Sequence, residues 1–209
     1  PYQSVNFSTL LSNSLLVSFG AALIAMVLGV SLAYAFARFR FPGRRSGLFL
    51  LLLTAVLPPV AFMTPLYFIL GFLGIRTTLL ALVIVYAAFA MPFCIWNMRA
   101  AFQAVSRELE EAAFLDGASS WTAFFLVTLP IIRPGIIASA MFSFIASFSD
   151  LEKSLFLIGP GKTTLPIAIV NYLEWSLDPT ISAVATVQIF IIGAGLLISD
   201  RFVKLGKAF

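Results

Sequence analysis

Gly159-Pro160-Gly161-Lys162-Thr163-Thr164 holds the residue types that cradle phosphate: glycines for close backbone approach, a lysine for charge and threonine hydroxyls. A nucleotide-binding loop of that kind needs Gly, four residues, Gly-Lys, then Ser or Thr, between a strand and a helix. Counting back from Gly161, the first glycine would fall on Phe156, and Pro160 removes a backbone donor. The stretch therefore reads as a tight turn, and the chain is expected to bind no nucleotide. There is no histidine and only one cysteine, Cys94, which lies in an apolar run. That leaves no metal cluster, no nucleophile–base pair and no disulfide within the chain, and the thiol reads as buried and inert. Six of the nine carboxylates form two groups. Asp150 and Glu152, with Lys153, sit towards the end of an apolar run that also carries Ser143, Ser147 and Ser149, and Asn171 follows later. Polar side chains in a membrane span face the bundle interior, where they line a solute path or hydrogen-bond a neighbouring helix. The second group, Glu108, Glu110, Glu111 and Asp116, lies in ELEEAAFLDGASSWTAFFLVTLP, residues Glu108 to Pro130, the only long stretch that interleaves charge with apolar residues.

The element that must position this second group is a helix, a glycine turn and a helix. Ser106 can cap a helix start, and Glu108, Glu110 and Glu111 then lie in its first turns, at the positive end of the helix dipole. Leu109, Ala112, Ala113 and Asp116 follow at helical spacing, and Gly117 supplies the stop. Ser119 or Ser120 can cap a second short helix through Trp121, Phe124 and Phe125, which Pro130 is expected to end. The small-residue face of Ala112, Ala113, Gly117 and Ala118 lets another protein approach closely. The plainer reading is an amphipathic surface hairpin that joins two spans.

With 61% hydrophobic and 11% charged residues, the 209-residue chain lies far from a soluble average. The fold class expected is an all-α membrane protein, one domain over 1–209. Apolar runs of about the 20 residues that a bilayer core requires place spans at about 10–37, 48–73, 79–97, 134–157 and 181–199. Pro58-Pro59 and Pro65 predict a kink in the second, and the Gly159–Thr180 stretch reads as re-entrant or interfacial. No cleavable signal peptide is recognisable, since no basic region precedes the first run. If the Arg38–Arg45 loop is cytoplasmic, then Arg38, Arg40, Arg44, Arg45, Arg99, Arg107, Arg133, Arg201, Lys204 and Lys207 lie inside, which is ten of the thirteen basic residues. The positive-inside rule then gives an external N-terminus and a cytoplasmic C-terminus, with Glu108–Pro130 in the cytoplasm. The basic residues flank spans and form no patch with aromatics, so nucleic acid is excluded as a partner and membrane lipid is expected.

Glu111-Ala112-Ala113, three residues, Gly117, nine residues, then Val127-Thr128-Leu129-Pro130 resembles the EAA loop of ATP-binding-cassette importer permeases, with Val127 where Ile is usual. The likeness runs from Asn13 to the C-terminus. AYAFARFRFPGRR, LPPVAFMTPLYF and PFCIWNMRAAFQAVSRELEEAAFLDGAS are similar to the maltose-type sugar permeases. SFSDLEKSLFLIGPGKTTLPIAIVNYLEWSLDPTISAVATVQI is similar to the polyamine-type permeases, which usually carry a second acidic residue where Ser149 stands. The resemblance implies the MetI-like fold and, because such permeases usually carry six spans, one more span before the first seen here; the non-Met start agrees with a trimmed chain. It implies a multi-pass subunit of the bacterial or archaeal plasma (inner) membrane that is not itself an enzyme. Glu108, Glu111, Ala112, Ala113, Asp116, Gly117, Leu129 and Pro130 would couple it to a cytoplasmic ATPase that holds the ATP and Mg, this chain binding neither. A second permease subunit, in a homo- or heterodimer, and an external solute-binding protein complete the set of partners. Ser143, Ser147, Ser149, Asp150 and Asn171 are the candidate solute path. Asp150, Glu152, Glu174 and Asp178 outnumber Lys153 and Lys162 in the outer half, which favours a polyamine-like cation over a sugar. The alternative classes are an ion-gradient-driven secondary transporter, for which only Asp150, Glu152 and Lys153 approach mid-depth, and a membrane enzyme, for which no catalytic group can be named.

Overall fold

The computed structural model describes residues 6–157, 159, 162–175 and 180–203. Among them are α-helices and one π-helical turn, and no strand. The first helix, α1 (Phe7–Arg38), has 32 residues, about 48 Å at 1.5 Å per residue, so it exceeds the roughly 30 Å hydrocarbon core. Its buried side is made of small residues, among them Ala21, Ala22, Ala25, Gly29, Ala33 and Ala37, which lets α4 (Leu79–Ala104) come close. A Cβ on Gly29 would stand 2.9 Å from Cys94 Cβ. Val17, Ala21 and Ala25 pack there with Leu82, Val85, Tyr86 and Cys94. The third side is closed by α7 (Leu129–Phe148). Asn97 donates to Ser139 Oγ at 2.7 Å and to the Gly135 carbonyl at 3.3 Å, and Cys94 Sγ lies 3.0 Å from Ser143 Oγ. Interhelical bonds of this sort contribute about 0.5–2 kcal/mol each in a membrane bundle. Against α7 lies α10 (Thr180–Val203), where Ile191 and Ile192 meet Phe144 and Phe148.

Among the described residues, four helical stretches are long and apolar enough to cross a membrane, or five if one bent pair counts as a span. That pair occupies the kinked span expected over 48–73, with a sharper break than a kink. α2 (Arg44–Val56) and α3 (Val60–Phe72) meet at 103° around Leu57-Pro58-Pro59. Two consecutive residues without an N–H end the helical ladder, and Leu57, which precedes a proline, is extended at φ −68°, ψ 140°. Each half has 13 residues, about 20 Å, too short to cross alone. Pro65 and Pro92 lie inside helices without ending them, and α4 runs on to Ala104 instead of stopping near Asn97.

The fourth span also differs from the expected 134–157. Its end comes at Phe148, where Asp150 begins α8 (Glu152–Leu157) by accepting the Lys153 N–H at 3.0 Å. Its beginning comes early. Pro130 does not end the second short helix: α6 (Ser120–Ala123), a π turn (Phe124–Thr128) and α7 form one helical run. The Leu129 N–H reaches the Phe124 carbonyl, five residues back. Pro130 has no N–H for the Leu126 carbonyl and its ring crowds that turn, and the wider π turn accommodates both. The stretch expected to be re-entrant or interfacial holds α9 (Leu165–Trp175), whose 11 residues are too few to cross. Its start is tied to the start of α1, by Asn13 donating to the Thr163 carbonyl at 3.1 Å and Ser14 Oγ accepting the Leu165 N–H at 2.7 Å.

Candidate functional site

Ser106 caps α5 (Arg107–Leu115), its Oγ accepting the Glu108 N–H at 3.3 Å, with Glu108 and Glu110 in the first turn. The helix stops on a left-handed Gly117 at φ +85°. The Ala118 N–H bonds the Ala113 carbonyl at 2.9 Å and the Gly117 N–H bonds the Phe114 carbonyl at 3.0 Å. This paired closure satisfies two end carbonyls and needs a residue without Cβ strain at the turn. Ser119 then caps α6 by accepting the Thr122 N–H at 3.2 Å. Glu108, Glu111, Ala112, Asp116 and Gly117 are all exposed on this nine-residue helix and its turn, and Ala113 is half-buried. Leu115 and Trp121, 90% and 74% exposed, flank the turn with uncovered apolar surface. Leu129 instead packs inward on the cluster of Phe102, Val105 and Ile132, and Pro130 is exposed at the foot of α7. The eight coupling candidates are thus divided between an exposed helix with its turn and the base of a span.

Glu110, placed in the acidic helix from the sequence but not among the coupling candidates, makes the junction with the bundle. Its Oε1 accepts from Arg38 Nη2 at 2.9 Å and from Thr128 Oγ1 at 2.8 Å. Arg38 Nη2 also donates to the Val105 carbonyl at 3.2 Å. Nothing in local spacing joins Arg38 to Glu110; the only hint is that one lies at the end of an apolar run and the other in an acidic helix. The contact places the Arg38–Arg45 loop and α5 at one end of the bundle. A mainly apolar groove of about 820 Å³ opens beside it, lined by Val30, Tyr34, Phe114, Trp121 and Phe124.

The solute-path candidates do not converge on one place. Ser147 and Asp150 line a cavity of about 210 Å³ with Thr54, Tyr86, Phe142 and Lys153. Within it Asp150 is ion-paired to Lys153, and Tyr86 donates to the Asp150 carbonyl at 3.2 Å and hydrogen-bonds Ser154. Ser143 faces α4, bonded to Cys94 and, at 2.8 Å, to the Ser139 carbonyl. Ser149 is exposed, and Asn171 is half-buried on α9. Among the described residues no three His, Cys, Asp or Glu side chains gather as metal ligands would. The loop with phosphate-binding residue types follows a helix, α8, and lies near the start of α1, with Lys162 exposed. Pro160, Gly161, Asp178, Lys204 and Lys207 lie outside the described residues, as does the side chain of Glu174.

The family described as "Binding-protein-dependent transport system inner membrane component" matches residues 10–205. The chain is similar to the diacetylchitobiose uptake system permease protein NgcG of Streptomyces coelicolor, 34% identical over 197 residues, covering 94% of this chain and 61% of that one. It is also similar to the trehalose transport system permease protein SugB of Mycobacterium tuberculosis, 36% identical over 167 residues, covering 79% of this chain and 61% of that one. The chain thus spans about three fifths of the length of these relatives. Among solved structures, the MetNI methionine ABC transporter in an inward-facing conformation matches with a TM-score of 0.73 over 92% of each chain, at 18% identity, a likeness of fold.

Proposed function

Because the chain belongs to the inner-membrane permease components of binding-protein-dependent ABC importers, we propose that its exposed α5–Gly117 surface docks in a separate cytoplasmic ATPase. Closure of that ATPase, which holds the ATP and Mg, rocks the membrane helices between outward and inward access. The observation that carries this reading is a capped, exposed helix bearing Glu111, Ala112, Ala113 and Gly117 at the permease spacing. The chain itself performs no bond chemistry. A second permease subunit completes the path, and an external binding protein delivers the solute. The N-terminal end of α1 faces outside and the C-terminal end of α10 faces the cytoplasm, a reading supported by the basic loop and α5 sharing one end of the bundle.

The solute is read as a neutral sugar. Both relatives named above carry sugar-transport names. Within the 210 Å³ cavity the Asp150 carboxylate already has a cation, Lys153, so the negative charge that a polyamine would seek there is engaged. Aromatic walls with a few polar groups suit a hydroxyl-rich neutral ligand.

The docking reading is tested with Glu111→Lys and Gly117→Asp. The first reverses a charge on the exposed helix; the second puts a side chain and a charge at a left-handed turn, at a cost of about 1 kcal/mol to the local fold. Both variants are expected to insert in the membrane normally and to lose co-purification of the ATPase. Normal co-purification and normal uptake in both would sink the proposal.

A further inference from the structure

We propose that Arg38, Glu110 and Thr128 form a latch that fixes the pose of α5 on the bundle, so that a pull on its exposed surface reaches α1 and α7 together; this rests on the docking reading above. α5 has nine residues, none of them buried, and it connects to its neighbours through Val105-Ser106 on one side and Asp116-Gly117-Ala118-Ser119 on the other. A helix so short has little stability of its own and can pivot at both joints. Its acidic residues divide the work. Glu108 and Glu111 are exposed, whereas the Glu110 side chain is 15% exposed and the Arg38 side chain 10%. A single oxygen, Glu110 Oε1, receives Arg38 Nη2 at 2.9 Å and Thr128 Oγ1 at 2.8 Å.

Those two donors come from the last residue of α1 and the last residue of the π turn that leads into α7. Arg38 Nη2 also donates to the carbonyl of Val105, the residue that ends α4, at 3.2 Å. Arg107 Nη2 returns the tie, donating to the Arg38 carbonyl at 3.3 Å. Four elements therefore meet around one carboxylate. Tyr34 supports the same junction from the apolar side, edge-on to Phe102 at 5.3 Å and to Phe124 at 5.8 Å. A charged pair this shielded constrains geometry strongly, because separating the partners leaves a charge uncompensated. Arg38, Glu110 and Thr128 are positioning residues: they hold the docked surface and do not form it.

The test is a double-mutant cycle in the assembled transporter, reconstituted with its ATPase and binding protein in proteoliposomes. The variants are Arg38→Gln, Glu110→Gln, the two combined, Thr128→Val and Thr128→Ser. The probe is radiolabelled trehalose or diacetylchitobiose, whichever the wild-type complex imports, and the readout is solute imported per ATP hydrolysed. Each charge-removing single variant and Thr128→Val are expected to keep the ATPase bound and hydrolysing, while the ratio falls about threefold or more. The double variant should be no worse than the worse single, since both changes break one contact. Thr128→Ser, which keeps the hydroxyl, should keep the wild-type ratio. Losses that add in the double variant, or a wild-type ratio in both Glu110→Gln and Thr128→Val, would overturn the latch. If the charge variants do not assemble, the Thr128 pair decides alone, because it leaves both charges in place. Failure of the docking reading looks different: Glu111→Lys and Gly117→Asp would then keep the ATPase bound and uptake normal, whatever the Arg38, Glu110 and Thr128 variants do.

Discussion

Gly29 and Cys94 set how closely α1 and α4 approach, and the tolerance there is small. A Cβ at position 29 would already press on Cys94 Cβ at 2.9 Å, whereas one at Gly20 would meet only the methyl groups of Val83, at 3.2 and 3.3 Å. Gly29→Val is therefore expected to destabilise the bundle by about 1–3 kcal/mol, the usual effect of overpacking a close contact. Gly20→Ala should have a smaller effect. Thermal melts of the detergent-solubilised protein compare the two, and equal melting temperatures for Gly29→Val and wild type would show that α1 can move aside at no cost. The demand at Gly117 is of another kind. Nothing lies within 4 Å of a Cβ there, and its positive φ is what a side chain would resist. One glycine serves packing and the other serves a turn, and only the second announces itself in the sequence, by following a helix-length run that begins with a capping serine.

The bent α2–α3 pair raises the question of where its backbone finds partners. The carbonyls of Thr54 and Ala55 stand four residues before Pro58 and Pro59, neither of which has an N–H. Bare carbonyls in hydrocarbon are strongly unfavourable, so water or protein must reach them. Both residues line the 210 Å³ cavity, with Leu57 and Pro59. A cysteine at Ala55, in a Cys94→Ala background, is accordingly expected to react with a water-soluble maleimide several-fold faster than one at Phe49, because thiols react as thiolates in water. Phe49 is exposed on the same helix away from the break. Equal or slower labelling at position 55 would mean that the break is sealed. The proline pair also marks a limit of legibility. Run length and composition outline the spans, and Ser106, Gly117 and Ser119 outline α5 and its turn, because those signals are local. Whether Pro58-Pro59 kinks or breaks a helix, and whether Pro130 ends one or is absorbed by a π turn, depends on hydrogen bonds made elsewhere. Ser143 and Ser147 lie one turn apart and read alike, yet one bonds Cys94 and the other faces a cavity. Arg38 and Glu110 are separated by 72 residues, and only the packed bundle brings them together.

Across the whole molecule, α1 acts as a ruler of about 48 Å between two differently equipped ends. One end carries the Arg38–Glu110 junction; the other carries the hydrogen bonds of Asn13 and Ser14 to Thr163 and Leu165. The Lys162 loop belongs to the second end, the end away from α5. Between them, the paired Asp150 gives the solute preference a measurable form. In proteoliposomes of the assembled transporter, unlabelled trehalose or diacetylchitobiose should compete with the imported solute, and spermidine at the same concentration should not. Competition by spermidine alone would return the preference to a cation. The π turn at Phe124–Thr128 has a consequence for anyone who would exchange parts between such proteins. One residue advances an α-helix by about 100°, so a turn that closes on the fifth residue instead of the fourth shifts the helical phase of everything before it relative to everything after. Residues Ser106–Ala123 grafted onto another span through an uninterrupted α-helix would arrive with every contact residue in the right order and facing about 100° away from its partner. The transferable module is therefore the helix, the glycine turn and the widened turn together, ending no earlier than Leu129.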